Sequence, residues 1–377
     1  MTGFSLARLV AMMIKEFVQM RRDRMTFGMM VGIPLLQLLL FGYAINSDPK
    51  HLPTAILDAD HGVVGRSVVA AMQASRYFDV TLLPESEARA DDILARGEAQ
   101  FVVTIPVDFS RRVLRGERPG LVVEADATDP AATANALGVL EHIARHAADR
   151  DLAGPFANLR QNAPPFDLVV HRRYNPEGET AFNIVPGLMG VVLTMTMVIM
   201  TCLAVTRERE RGTMESLLAM PLTPIEVMLG KILPYIAVGY LQVAFILGMA
   251  KLLFAVPMMG SLVLLSVVTV VFIAANLAVG FTFSTIAANQ LQAVQMGFFF
   301  FLPSILLSGF MFPFRGMPVW AQVIGEVLPL THFLRIVRGI LLKGSPWGDI
   351  AADVAAMAAF MAVAGGIAIK RYRMTLD

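Results

Sequence analysis

Long uncharged segments dominate the chain, and their apolar pattern predicts membrane-spanning helices. Residues 25–45 and 181–206 contain no charged side chain, and residues 232–250 form a third such segment. A bilayer core of about 30 Å requires roughly 20 apolar residues in a helix, because lipid offers no partner for exposed backbone groups. Each of these segments is therefore long enough to cross a membrane once.

A longer uncharged segment lies between Lys251 and Arg315 and has room for two further helices. Polar or helix-breaking clusters at 256–261 and 287–292 mark where these helices begin or end. A last apolar segment covers 350–369. The pattern predicts six transmembrane helices in all.

Lys and Arg residues near the ends of the spans predict the orientation, since they accumulate on the cytoplasmic side. They cluster before the first span, after the second span and after the last span. With six spans, all three clusters fall on one side, so both termini are predicted to be cytoplasmic. The cluster members are Arg8, Lys15, Arg21, Arg22, Arg24, Arg207, Arg209, Arg211, Lys231, Lys370, Arg371 and Arg373.

Residues 1–24 have one polar and one apolar helical face, which predicts an amphipathic helix lying in the cytoplasmic interface. The polar face includes Arg8, Lys15 and Arg22, and the apolar face includes Val10 and Phe17. The alternative interpretation is a cytoplasmic extension of the first transmembrane helix, residues 25–45.

Residues 46–180 differ from the remaining chain because they are rich in charge, with 14 Lys and Arg and 20 Asp and Glu. Short β-branched segments alternate there with helical patterns, which predicts an α/β or α+β domain outside the membrane. The strand candidates are 54–57, 78–83, 101–105 and 121–125, and the helix candidates are 63–74, 85–96 and 129–148.

The composition excludes several classes of protein and of site. The chain is 56% hydrophobic and 16% charged, which excludes a cytosolic enzyme, and its net charge of +1 argues against nucleic acid as a partner. The single cysteine, Cys202, excludes an intrachain disulfide. His142 and His146 have the spacing of two metal ligands but lack a third, so a solvated helix face is favoured and no metal site is predicted.

The segment 207–220 is the most informative connection between spans. Its first half is dense in both signs of charge, and Met214, Leu217 and Leu218 then form an apolar ridge at helical spacing. Such a ridge in water requires a partner, although a solvated juxtamembrane helix is the alternative. The candidate coupling residues are Arg207, Glu208, Arg209, Glu210, Arg211, Gly212, Thr213, Met214, Glu215, Leu217 and Leu218.

Three motifs together resemble the ABC type-2 transport permeases, in the multidrug-exporter branch with a large external domain. The first is the Glu-Arg-Glu-Arg-Gly-Thr-Met-Glu-Ser-Leu-Leu segment beginning at Glu208, and the second joins 307–313 to 328–333. The third pairs 174–177 with 183–188. The resemblance covers most of the chain and is weakest in residues 50–160.

The resemblance implies a membrane all-α bundle of six helices with an inserted extracytoplasmic α/β domain. It divides the chain into 46–180 and a five-helix region, 181–377, with a coupling helix in 207–220 that is seated in a separate ATPase. Residues 315–348, which Pro329 divides into two interfacial helices, are similar to the family's external re-entrant helices.

A phosphate-cradling Gly-x-x-x-x-Gly-Lys-Ser/Thr loop is absent from the sequence. We therefore predict a transport subunit without enzymatic activity or a cofactor of its own, with ATP and Mg²⁺ held by the partner ATPase. The resemblance implies a second permease copy, identical or similar, in the lipid of a bacterial inner membrane. It also suggests work with a periplasmic adaptor and an outer-membrane channel.

Polar residues inside spans are candidates for a substrate pathway because they are costly in lipid and point into the bundle. Hydrogen bonds between helices are the favoured interpretation of most such residues. In the family, the second and fifth spans line the route, and an aromatic lining suits amphipathic or drug-like cargo. The candidates are Gln37, Thr194, Asn276, Gln295 and Phe298.

Three other functions compete with an exporter. A membrane-anchored ligand sensor requires a cytoplasmic output domain, and a secondary transporter predicts repeated halves with charges inside spans. A mechanotransmitting permease working with a periplasmic adaptor also carries a large domain after its first span, but it has three later spans. The predicted number of later spans is five, which favours the exporter.

Overall fold

The computed structural model describes residues 49–153, 156, 164–210 and 224–371. The predicted interfacial helix, the predicted first span and Gln37 lie outside the described residues. The same is true of the coupling-loop segment 211–223, which includes the predicted apolar ridge.

A five-stranded mixed sheet forms the first part of the described chain, in the order β2-β1-β3-β4-β5. Only the pairing of β3 with β4 is antiparallel. The strands are β1 Leu52–Asp58, β2 Phe78–Leu82, β3 Phe101–Ile105, β4 Gly120–Asp126 and β5 Asp167–Arg173. The helices connecting them are α1 Val63–Ala74, α2 Glu87–Ala95, α3 Phe109–Leu114 and α4 Pro130–His146. We call this unit the sheet domain.

The position of each strand in the sheet explains its sequence. The central strand β3 reads Phe-Val-Val-Thr-Ile and is buried on both faces, as expected of a strand covered on each side. The edge strand β5 alternates between exposed and partly buried positions and carries His171, Arg172 and Arg173. All four predicted strands are confirmed, whereas β5 and α3 were not predicted.

Aromatic contacts hold the core of the sheet domain. The rings of Phe78 and Phe101 meet edge to face at 5.4 Å, and those of Phe109 and Phe166 meet at 5.2 Å. Asp129 accepts a hydrogen bond from the Ala132 amide and so caps α4, which begins with a proline as predicted.

Five helices in the described residues are long and apolar enough to cross a membrane. They begin and end close to the predicted boundaries. At the two predicted breaks, Ser261 caps the helix that starts at Leu262, and Asn289 caps the helix that starts at Gln290. The five are α5 Thr180–Glu210, α6 Pro224–Phe254, α7 Leu262–Ile286, α8 Gln290–Leu307 and α11 Trp347–Arg371.

Two short helices, α9 Val319–Val327 and α10 Pro329–Arg338, lie between α8 and α11. A π-helical turn, Gly339–Lys343, follows α10 directly. Helix α9 exposes an apolar face, but α10 is buried along most of its length and stacks Phe333 on Phe272 at a centroid distance of 4.0 Å. This differs from the prediction of two interfacial helices, because the apolar residues of α10 pack against α5, α7 and α11.

Candidate functional site

The predicted coupling loop begins on the last turn of α5. Arg207 is exposed there, and the helix extends to Glu210, four residues beyond the predicted end of the span. The side chains of Glu208 and Arg209 are outside the described part of the structure. Arg211, Gly212, Thr213, Met214, Glu215, Leu217 and Leu218 also lie outside the described residues.

Glu210 connects the end of α5 to the beginning of α8. Its carboxylate accepts a hydrogen bond from the backbone amide of Gln290 at 2.7 Å and a second bond from the side-chain amide of the same residue. These two bonds lower the pKa of Glu210. A carboxylate at the first residue of a helix also interacts favourably with the positive end of the helix dipole.

The start of α8 is fixed by further hydrogen bonds. The Asn289 side chain accepts from the Gln292 amide at 2.9 Å, and the Gln292 side chain accepts from the Ala288 amide at 2.9 Å. This arrangement is similar to a capping box, except that the Gln292 side chain accepts from Ala288, the residue before the N-cap, and not from the N-cap amide. Gln290 was not predicted as a functional residue, although the Asn-x-x-Gln pattern would have located the helix start that presents it.

Helices α5 and α7 approach each other closely at a glycine. A Cβ atom at Gly280 would lie 2.7 Å from the carbonyl oxygen of Val198 and 2.8 Å from Cβ of Thr201. The buried Cys202 thiol donates to the Gly280 carbonyl oxygen at 3.3 Å. A small residue is therefore required here, as is common where membrane helices cross.

The structure describes four of the five predicted pathway residues, Thr194, Asn276, Gln295 and Phe298, which lie on α5, α7 and α8. Thr194 is buried, and its hydroxyl donates to the Gly190 carbonyl oxygen of its own helix at 2.9 Å. Phe298 is 36% exposed and meets the ring of Phe301 edge to face. Both contacts lie within one helix, and the pathway role of Thr194 and Phe298 stays a prediction.

Asn276 and Gln295 each keep an unsatisfied acceptor. The Asn276 amide donates to the Phe272 carbonyl oxygen at 2.9 Å, while its side-chain oxygen is buried without a hydrogen-bond partner. The side-chain oxygen of Gln295 is also buried without a hydrogen-bond partner. A buried polar atom without a partner is costly, so these two oxygens are the predicted pathway atoms that most require a further donor.

A charged cluster joins α9, α10 and α11. His332 lies between the Asp353 carboxylate, 2.6 Å from Nδ1, and the Glu326 carbonyl oxygen, 2.8 Å from Nε2. Arg335 forms an ion pair with Glu326 and lies 3.5 Å from Asp353. The sequence pattern places Asp353 only near the edge of the last span and predicts no role for His332, because the contact spans two elements.

The sheet domain contacts the helical region through Lys343, in the turn after α10. Its ammonium group lies 2.5 Å from the Asp126 carboxylate and 5.0 Å from the ring centroid of Tyr174. Both charged side chains are 11% exposed. Burial raises the pKa of Tyr174 to about 12, so this ring stays neutral beside the pair.

A cavity of about 240 Å³ lies next to this contact, between the sheet domain and helices α8, α10 and α11. Its lining contains five basic side chains, Arg96, Arg315, Arg335, Arg338 and Lys343, together with four aspartates. In the described part of the chain, no cluster of three or more His, Cys, Asp or Glu has the arrangement of a metal site. The predicted pair His142 and His146 is exposed on α4.

Comparison with known proteins identifies the class of this molecule. Residues 24–370 match the family described as ABC-2 family transporter protein. The chain belongs to this family. The resemblance found in the sequence is thereby confirmed, and the several long apolar helices of this ABC-2 transporter protein make it a multi-pass membrane protein.

Three relatives of the ABC-2 chain are permeases. It is 31% identical over 347 residues to the "Probable multidrug ABC transporter permease YbhS" of Escherichia coli K12, covering 90% of this chain and 89% of YbhS. It is 29% identical over 336 residues to YbhR of the same strain, covering 89% and 90%. Identity to the "Linearmycin resistance permease protein LnrN" of Bacillus subtilis 168 is 21% over 363 residues, covering 91% and 94%.

Proposed function

We propose that this chain is the membrane-spanning subunit of an exporter that moves amphipathic or drug-like molecules out of the cytoplasm or inner leaflet. The relatives named as multidrug permeases support the cargo class. ATP is hydrolysed by separate subunits in this proposal, and the chain acts with a second permease copy. A periplasmic adaptor and an outer-membrane channel complete the proposed assembly.

The proposed topology has six spans, with both termini and the 207–220 loop in the cytoplasm and the sheet domain in the periplasm of a bacterial inner membrane. Among the described residues, five helices apolar enough to cross a membrane follow the sheet domain. A mechanotransmitting permease has three later spans, so this number favours the exporter. The longest connection between spans on the cytoplasmic side of this topology is the 207–220 loop, whereas a ligand sensor requires a cytoplasmic output domain.

The observation that carries the proposal is the junction of Glu210 with Gln290. It joins the helix that enters the coupling loop to the start of α8, so a displacement of the loop reaches two helices at once. Helix α5 also packs on α7 through Gly280, which extends the connection into the bundle. In this proposal the helix bundle has an inward-open and an outward-open state. Closure of the ATPase displaces the junction and shifts the equilibrium towards the outward-open state.

The test compares a charge reversal at the junction, and a charge introduced into the coupling loop, with a charge reversal elsewhere. Glu210→Arg and Leu217→Asp are expected to abolish drug-stimulated ATPase activity and transport in proteoliposomes that contain the permease and its ATPase. Insertion and thermal stability are expected to persist. The matched control is Glu177→Arg, an exposed glutamate ahead of α5, which is expected to transport normally.

Gln290→Ala serves as the second junction variant because it keeps the coupling loop intact. Loss of its side-chain bond is expected to lower transport while leaving part of the ATPase response, since the backbone bond to Glu210 remains. Normal transport by Glu210→Arg with its full ATPase response would overturn the proposed role of the junction.

A further inference from the structure

The cavity between the sheet domain and the helical region contains more positive charge than its aspartates neutralise. Lys343 is paired with Asp126, Arg96 with Asp92, and Arg335 with Glu326. Asp353 contacts His332 and Arg335, and Asp129 caps α4. The carboxylates at this surface therefore already have partners.

Two guanidinium groups of the lining are not compensated in this way. Arg315 donates to the Gly97 carbonyl oxygen at 3.2 Å, and Arg338 donates to the Gly309 carbonyl oxygen at 3.2 and 3.3 Å. The side-chain hydrogen bonds of both groups therefore go to backbone carbonyl oxygens, whereas the ion pairs at this cavity involve Lys343 and Arg335.

Arg338 is the stronger indication of a missing ligand. Its Nε atom is inaccessible to solvent and has no hydrogen-bond partner. Burial lowers the pKa of Arg338, and the attraction of the Asp129 and Asp126 carboxylates opposes this shift without outweighing it. A guanidinium has five donors in a planar fork, and a phosphate or carboxylate is the group that satisfies several of them together.

The two tryptophans of the chain lie close in sequence to residues that line the cavity, Trp320 to Arg315 and Trp347 to Asp349. The chain has two, Trp320 on α9 and Trp347 at the start of α11, and they are 44% and 53% exposed. Tryptophan is enriched at the boundary between headgroups and acyl chains. Next to Trp320, α9 exposes Val319, Val323 and Val327, an apolar face suited to acyl chains.

We propose that the cavity binds the phosphate group of a membrane phospholipid, with Arg315 and Arg338 as its ligands. The phosphate lies between the two guanidinium groups, and the acyl chains extend along the apolar face of α9. Phosphate chemistry is shared by free inorganic phosphate, but the exposed apolar face of α9, which follows Arg315 in the chain, and the two exposed tryptophans favour the lipid. This site is independent of the proposed transport function.

Binding is measured on the purified full-length chain in detergent after removal of native lipid, with tryptophan fluorescence and calorimetry as readouts. The three probes are dihexanoyl phosphatidylglycerol, dihexanoylglycerol without phosphate, and inorganic phosphate. Saturable binding is expected for the phospholipid, with weaker binding for inorganic phosphate and none for dihexanoylglycerol. No ATPase is present, so this result does not depend on whether the chain is an exporter.

Arg338→Gln and Arg315→Gln are each expected to weaken phospholipid binding by about tenfold or more, the loss expected for one charge-assisted interaction. Arg111→Gln is the matched control, an exposed arginine paired with Asp108 at 3.0 Å, and is expected to bind normally. Arg315→Gln keeps the test decisive if Arg338→Gln does not fold.

Three outcomes would overturn the proposal. Equal binding of dihexanoylglycerol would show that the phosphate is not recognised. Unchanged binding by Arg315→Gln would remove the cavity as the site. Binding of inorganic phosphate without binding of the phospholipid would show that the cavity recognises phosphate but not a membrane lipid, which contradicts the proposal.

Discussion

His332 makes two contacts that only its protonated ring satisfies. Both partners are oxygen acceptors, the Asp353 carboxylate and the Glu326 carbonyl, while a neutral imidazole has a single N–H to donate. Burial lowers the pKa of His332, but the Asp353 and Glu326 bonds outweigh burial and raise it overall, even with Arg335 nearby. The folded state therefore binds this proton more tightly than the unfolded chain.

Stability is expected to depend on pH through this proton. The contribution of His332 is fully present below about pH 6.5, its unfolded value, and is lost as pH rises through the raised folded pKa. Losing one hydrogen bond of about 1 kcal/mol is expected to lower the melting temperature by about 2–4 °C between pH 6 and pH 9. Thermal unfolding in detergent measures this change.

His332→Gln is expected to be less stable at pH 6 and to lose the pH dependence. His142→Gln, on an exposed face of α4, is the matched control and is expected to keep the wild-type profile. A pH profile of His332→Gln identical to that of wild type would contradict the assignment of this proton to His332.

The sequence alone predicts a functional residue only where its neighbours in the chain indicate the role. Glu210 lies in a dense charged motif, which is why it was predicted as a coupling residue. Gln290 and Asp353 gain their roles from partners 80 and 21 positions away, and no local pattern encodes such a distance. Contacts of this kind appear only after the helices have been packed.

At the scale of elements, the crossing of α5 and α7 depends on Gly280. The carbonyl of Val198 lies where a side chain would begin, so the backbones are in direct contact. Backbone atoms cannot move aside as a flexible side chain does. A methyl group added at Gly280 is therefore expected to push the two helices apart.

Gly280→Ala is expected to destabilise the protein by about 1–3 kcal/mol, the range for overpacking a tight core. Gly248→Ala is the matched control on α6, since a Cβ atom added there would meet nothing within 4 Å. It is expected to be neutral or slightly stabilising, because alanine favours helix more than glycine does. Thermal unfolding of both variants makes the comparison, and a Gly280→Ala protein as stable as wild type would refute the packing argument.

Helix boundaries were predicted well because capping residues and breaks are local signals. Asn289 and Ser261 act at the residues where the pattern divides the apolar segment. The strand β5 was missed because it is an edge strand whose second half, His171-Arg172-Arg173, is polar, and because Asn-Ala-Pro-Pro precedes it at 162–165. The burial of α10 was missed because its polar residues, His332 and Arg335, are neutralised by other elements rather than by water.

For the whole molecule, the pair of Lys343 and Asp126 is the main polar contact between the sheet domain and the helical region. The two residues are 217 positions apart and both are mostly buried. Removing one member of a buried pair leaves an uncompensated charge, which typically costs about 3–5 kcal/mol. The relative position of the two parts is therefore sensitive to a single side chain.

Lys343→Met is expected to loosen this contact and to increase hydrogen–deuterium exchange in β4 and in the turn after α10. Lys343→Met combined with Asp126→Leu is expected to be more stable than Lys343→Met alone, because no charge is left buried. The control is Arg89→Met, in an exposed ion pair with Asp92, where a change below about 1 kcal/mol is expected. Unaltered exchange in Lys343→Met would show that the pair does not hold the contact.

Helix α10 and the turn after it form a short connector with an attachment at each end. His332 contacts Asp353 of α11 at one end, and Lys343 contacts Asp126 of the sheet domain at the other. With the proposed topology, an antibody fragment that clamps the sheet domain would restrain a membrane helix from the periplasmic side. A protein that reaches only the periplasm is then expected to stop the proposed exporter without entering the cytoplasm.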